Sequence, residues 1–116
     1  MEINGVAHTF ITAGDFERSV AFYRQLLPFL GLQEVADSPD TYYCVGGRTG
    51  FGIRRPDPAH AEARYAQFRV GSLHHQCWRV RDRSDIDEAY AFLVSIGAKI
   101  VHAPQDEPWA PGYYSV

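Results

Sequence analysis

Cationic charge is scarce in this chain of 116 residues: 11 Lys and Arg stand against 14 Asp and Glu, for a formal net charge of −3. The basic residues are mostly Arg and lie scattered, with only Arg54 and Arg55 adjacent. Such a chain offers no basic footprint for nucleic acid, so no nucleic-acid partner is expected. No run of about 18 apolar residues occurs, so no membrane span is expected. The opening MEINGVAHTF lacks a basic stretch followed by an apolar run, so no signal peptide is expected and the location should be cytoplasmic. Cysteine is nearly absent. Cys44 and Cys77 sit singly in strand-like runs, which reads as two reduced thiols rather than a disulfide framework. What remains is ordinary: 46% hydrophobic and 22% charged residues, as in a single soluble globular domain.

The informative feature is a pattern that occurs twice. VAHTFITAGD places His8 seven positions before Asp15, and LHHQCWRVRD places His75 seven positions before Asp82. The histidines differ by 75 − 8 = 67 positions and the aspartates by 82 − 15 = 67. A helix-like stretch ending in Gly follows each copy. Further on, Tyr42-Tyr43-Cys44-Val45 returns as Tyr113-Tyr114-Ser115-Val116. A duplicated unit that supplies one imidazole per copy points to a metal between the copies. The first copy runs on through Gly46–Gly50 into a last strand at Phe51–Arg55, whereas the second stops at Val116. The second copy should therefore lack its final strand.

Periodicity supplies the elements. Residues 6–13 read as a strand. Asp15 is an N-cap, and Phe16, Val20, Tyr23 and Leu27 form one helical face that Pro28 and Gly31 should end. Leu32–Asp37, Thr41–Val45 and Phe51–Arg55 read as strands, giving the order β-α-β-β-β. The second copy should open with a strand at Leu73–Val80. Ser84 and Asp87 resemble a capping box. Ile86, Ala89, Tyr90, Leu93 and Ile96 then make a helical face closed by Gly97. Lys99–Ala103 reads as a strand, PQDEPWAPG as a loop, and Gly112–Val116 as the start of another strand. The organisation is one domain, 1–116: module one at 1–55, a linker with a short helix at 56–72, and an incomplete module two at 73–116.

Side chains alternate across a strand. Ile11 and Ala13 should face the helix, leaving His8, Phe10 and Thr12 on the opposite face. The same rule sets His75, Cys77 and Arg79 against Trp78 and Val80, and turns His74 away. The competing reading makes His8 and His75 hydrogen-bonded structural residues copied by the duplication, and the residues alone balance the two. His60 and His102 have no counterpart in the repeat and should be solvated.

VAHTFITAGDFERSVAFYRQLLPFLGL and HHQCWRVRDRSDIDEAYAFLVSIGAKIV resemble the vicinal oxygen chelate superfamily of glyoxalases, bleomycin- and fosfomycin-resistance proteins and extradiol dioxygenases. The resemblance covers essentially the whole chain. It implies an α+β fold of two βαβββ modules whose curved mixed sheets enclose a cavity, here with the second module lacking its last strand. It makes His8 and His75 ligands of a divalent metal (Zn, Fe, Mn or Ni), and it leaves the catalytic residues unassigned. Phe10, Cys77, Arg79 and Tyr113 would contact the small-molecule ligand; a catalytic role for Tyr113 or Tyr114, as dioxygenase relatives would imply, is less favoured than a place in a strand core. The resemblance implies a metal-dependent lyase, isomerase or dioxygenase acting on a small oxygen-rich substrate. The alternatives are a non-catalytic, resistance-type binding protein and a truncated remnant. The first is favoured by the missing last-strand carboxylate, since Phe51–Arg55 carries none and the matching strand of the second copy is absent. The apolar tail with Trp109, Tyr113, Tyr114 and Val116, together with an open strand edge, implies a homodimer.

Overall fold

In the computed structural model, which describes residues 1–116, the chain divides into two compact units, Met1–His75 and Gln76–Val116. The first unit has the expected order: strand β1 (Thr9–Thr12), helix α1 (Phe16–Phe29), and strands β2 (Gln33–Ser38), β3 (Thr41–Gly46) and β4 (Thr49–Arg54). Asp15 starts α1 by accepting the Arg18 N–H at 3.0 Å, so it satisfies a donor that the first turn cannot pair internally. The helix buries Phe16, Val20, Leu26 and Leu27. Pro28 does not end it but sits within the last turn. The stop is Gly31, whose φ of +81° suits a residue without a side chain, and the Leu32 N–H turns back to the Leu27 carbonyl at 2.9 Å.

The sheet runs β1-β4-β3-β2, with β1 parallel to β4 and the other pairs antiparallel. Between β3 and β4 the two turn residues Gly47 and Arg48 both have positive φ, at 55° and 64°. That is the hairpin geometry whose twist matches the flanking strands. Alternation decides the two faces. Tyr42, Cys44, Phe51 and Ile53 are buried on the α1 side together with Leu27. Ile11 and Ala13 are the more covered residues of the first strand region, while Phe10 and Thr12 are exposed.

The second unit departs further from expectation. Its helix α2 (Arg83–Ser95) forms, but the capping carboxylate is Asp85, which accepts the N–H groups of Asp82 at 3.0 Å and Arg81 at 3.2 Å. With Asp82 as the N-cap, Ser84 already lies inside the helix and the reciprocal carboxylate falls at Asp85, while Asp87 accepts the Tyr114 hydroxyl at 2.7 Å. Leu73–Val80 and Lys99–Ala103 are not paired strands. A strand exists only with a partner for its backbone groups. In the first unit β4 is that partner for β1, and residues 73–80 have no such pairing. The pairing that does form is short. Strand β5 (Gln105–Asp106), inside the expected loop, lies antiparallel to β6 (Tyr114–Ser115). This hairpin is tied to α2. Arg83 grips Asp106 at 2.6 and 3.1 Å, and its guanidinium lies 3.8 Å from the Tyr114 ring centroid. In the linker, Asp57 caps a single 3-10 turn at Pro58–His60, and residues 61–70 are exposed. No helix is long and apolar enough to cross a membrane.

Candidate functional site

The sheet face opposite α1 is shaped by what β4 lacks. Phe51 and Ile53 point into the core, so Gly50 and Gly52 fall on the other face. Phe10 of β1 and Tyr43 of β3 both stand opposite Gly52 in register, one on each side of β4. Strands two places apart lie roughly 9.6 Å from one another, too far for direct contact between side chains rising straight from the sheet. With no side chain on Gly52, the Phe10 ring folds over its backbone, and the Tyr43 ring does the same over Gly50. A Cβ at either glycine would collide with the ring above it. The two rings therefore stack, with centroids 4.9 Å apart and planes at 27°.

Polar groups frame this aromatic pair. His8 meets both rings edge-on, with centroids 5.7 Å from Phe10 and 6.4 Å from Tyr43. The Arg54 guanidinium lies 5.4 Å from the Phe10 centroid. Arg54 has no carboxylate in ion-pair range, and its charge reaches Asp40 only as a weaker influence behind the Ser38 and Thr41 hydroxyls, which do most to lower that carboxyl. Its neighbour Arg55 is occupied: it bonds Glu17 at 2.6 Å and the Pro39 carbonyl at 2.8 Å, and lies over the Phe16 ring. The exposed face thus presents an aromatic platform, one uncommitted cation and one imidazole.

The residues singled out from sequence are distributed unevenly. His8 and Phe10 lie together on this face, as alternation requires. His75 instead meets His74, with Nδ1 atoms 2.7 Å apart. His74 is not turned away, because alternation holds only in a paired strand and residues 73–80 are unpaired. Cys77 and Tyr113 meet within the second unit, Sγ to Oη 3.6 Å, and that contact raises the Tyr113 phenol above its ordinary value. Arg79 is exposed and makes no ion pair or hydrogen bond. His102, expected to be solvated, lies 3.5 Å from Glu107. No three His, Cys, Asp or Glu side chains converge. His8 and His75 therefore do not belong to a complete three-ligand set among these residues. Sequence reasoning missed Tyr43, Gly50, Gly52 and Arg54. The signal was Gly-Phe-Gly inside a strand, since glycine in a strand interior marks close approach by another group.

The family model described as Glyoxalase/Bleomycin resistance protein/Dioxygenase superfamily matches residues 5–115. No curated protein sequence matches the chain. Among solved structures, a glyoxalase-family protein from Bacillus halodurans superposes with a TM-score of 0.76 at 22% identity, covering 85% of this chain and 74% of its own. Lactoylglutathione lyase from Agrobacterium tumefaciens gives 0.65 at 21% identity, covering 97% and 83%. A mutant of the fosfomycin resistance protein FosX from Listeria monocytogenes, complexed with Mn(II) and 1S,2S-dihydroxypropylphosphonic acid, gives 0.59 at 13% identity, covering 92% and 79%. At these identities the structures speak for the fold alone, and the family match rests on the residues themselves. The chain is a member of the glyoxalase/bleomycin resistance protein/dioxygenase superfamily.

Proposed function

We propose that this chain binds a small planar, oxygen-rich molecule on the open face of the first unit, with His8, Phe10, Tyr43 and Arg54 as its contacts. The observation that carries this reading is the Phe10–Tyr43 stack over Gly52, with Arg54 unpaired beside it. A half-exposed aromatic pair offers a stacking surface. A free guanidinium offers forked donors to a carboxylate, phosphonate or phenolate. Sequestering needs only these contacts, whereas turnover on a metal would need an open site with three protein ligands. Cys77 and Tyr113 remain candidate ligand contacts of the second unit. Calorimetry against a panel of aromatic carboxylates and phosphonates tests the reading. Wild type should bind at least one of them, and Phe10→Ala and Arg54→Ala should each weaken it by about tenfold, or about 1.4 kcal/mol. Equal binding by all three proteins would remove it.

A second reading, metal-dependent turnover as a lyase, isomerase or dioxygenase, is supported by the exposed His8 imidazole beside the platform and by family membership. Zn, Fe, Mn or Ni would suit imidazole, with the missing ligands supplied from outside the residues described. Metal content that falls in His8→Ala would support it.

A further inference from the structure

We propose that Asn4 and Gly5 form a self-modifying site, where the Asn4 side-chain amide is lost as ammonia and the main chain is rerouted through an isoaspartyl link. This goes beyond the small-molecule reading and uses none of its residues.

Three observations meet at this dipeptide. First, Asn4 is the only asparagine in the chain, and a glycine follows it directly. Second, nothing holds the segment. Residues 1–8 belong to no helix or strand and are all exposed, and β1 begins only at Thr9. Neither the Asn4 side chain nor the Gly5 N–H takes part in a hydrogen bond. A backbone N–H paired in a ladder or a cap is fixed in place with its proton engaged, whereas the Gly5 nitrogen is free to approach its neighbour. Third, Gly5 leaves that approach unobstructed. Its φ is +94°, and open space lies where a Cβ would stand. A residue without a side chain allows the tight local geometry that ring closure needs.

The chemistry needs only water. The Gly5 nitrogen loses its proton to hydroxide and attacks Cγ of Asn4. The N–Cγ bond forms, the Cγ–Nδ2 bond breaks, and Nδ2 leaves as ammonia after taking up a proton. The product is a five-membered succinimide. Water then opens the ring. Opening at Cγ gives an ordinary aspartate. Opening at the main-chain carbonyl carbon gives isoaspartate, in which the main chain runs through Cγ. In sum one water is consumed and one ammonia released, with no oxidant, reductant or cofactor. A glutamine would have to close a six-membered ring, which is slower. Either product carries a carboxylate where a neutral amide stood, so the formal net charge falls from −3 to −3 − 1 = −4. The stretch leading to His8 therefore comes in charge forms that change with the age of the protein, while the elements beyond Thr9 keep their pairing.

Incubation of the full chain at mildly alkaline pH, followed by ion exchange and intact mass, tests the site. An acidic form should accumulate, heavier by the difference between an OH and an NH2 group. Peptide mapping should place the change at residues 4–5, and an isoaspartyl methyltransferase with a labelled methyl donor should mark it. Asn4→Gln should lose this form, and Gly5→Ala should slow it severalfold. Circular dichroism checks that the wild type and both variants are folded. A synthetic peptide of residues 1–8 gives the rate of the unrestrained dipeptide. Three results would overturn the proposal: a protein that stays unconverted while the peptide converts, an acidic form that persists at the same rate in Asn4→Gln, or an unchanged rate in Gly5→Ala.

Discussion

Gly52 shows how one absent methyl group shapes a surface. In Gly52→Ala the new Cβ would occupy the space of the Phe10 ring, and the ring would have to swing outward. Overpacking of this kind costs about 1–3 kcal/mol. It would also separate Phe10 from Tyr43, so urea denaturation should show the loss of stability and ligand binding should fall with it. A variant of unchanged stability and affinity would show that the rings have room to spare. Tyr42 presents the opposite case. Its ring is buried, yet its hydroxyl finds no hydrogen-bond partner of normal geometry, only the weakly bonding Cys44 thiol nearby. Burial pushes this phenol far up, so it stays neutral. Since an unpaired buried hydroxyl is costly, Tyr42→Phe should hold or raise the melting temperature. A fall of several degrees would mean that the hydroxyl has a partner after all.

Among the elements, those whose hydrogen bonds are satisfied locally were legible in the sequence. Helix α1 runs from its Asp15 cap to its Gly31 stop because both signals act within one turn of the chain. Strands β2, β3 and β4 shifted by only a residue or two from the expected ranges. Leu73–Val80 was not legible, because its state depends on a partner strand rather than on its own pattern. The candidate site divides in the same way. Alternation placed His8 and Phe10, but the convergence of Tyr43 and Arg54 depends on cross-strand register, which one strand's sequence does not carry.

The β5–β6 hairpin is held to α2 by the Tyr114–Asp87 hydrogen bond and by the ion pair of Arg83 with Asp106, whose carboxyl the Arg83 hydrogen bonds hold below its ordinary 3.8. A carboxyl lowered in the folded state contributes fully above its unfolded value, and that contribution fades as pH falls through the folded one. Both groups are exposed, so the effect should be modest and local. An NMR titration should show the Tyr114 ring signals shifting below about pH 4 in wild type. Asp106→Asn should lack that shift, and identical titrations would disprove the coupling.

At the scale of the whole molecule, β1 and β2 are the two edges of the four-stranded sheet. An edge strand carries unpaired N–H and C=O groups that invite another chain. Ile3, Val6 and Trp109 add exposed apolar surface. We propose that the chain forms a homodimer, the commonest closed arrangement for such a surface. Sedimentation at micromolar concentration should give twice the 13.1 kDa chain mass, and a folded species that stays at 13.1 kDa would exclude it.

The parallel pairing of β1 with β4 also sets an order of events. β2, β3 and β4 follow one another through short turns and can zip together early. β1 must wait until α1 and both hairpins bring β4 back to it, so the loop that closes is long. Strand β1 is four residues long and bonded along one side only, so it should dock last and detach first. His8 and Phe10 travel with it, while Tyr43 and Arg54 stay behind. The recognition surface is then complete only during the fraction of time that β1 is docked. A ligand bridging Phe10 and Tyr43 would act as a latch, slowing deuterium uptake at the Ala13 amide, which bonds the Arg54 carbonyl at 3.0 Å, while leaving β3 unchanged.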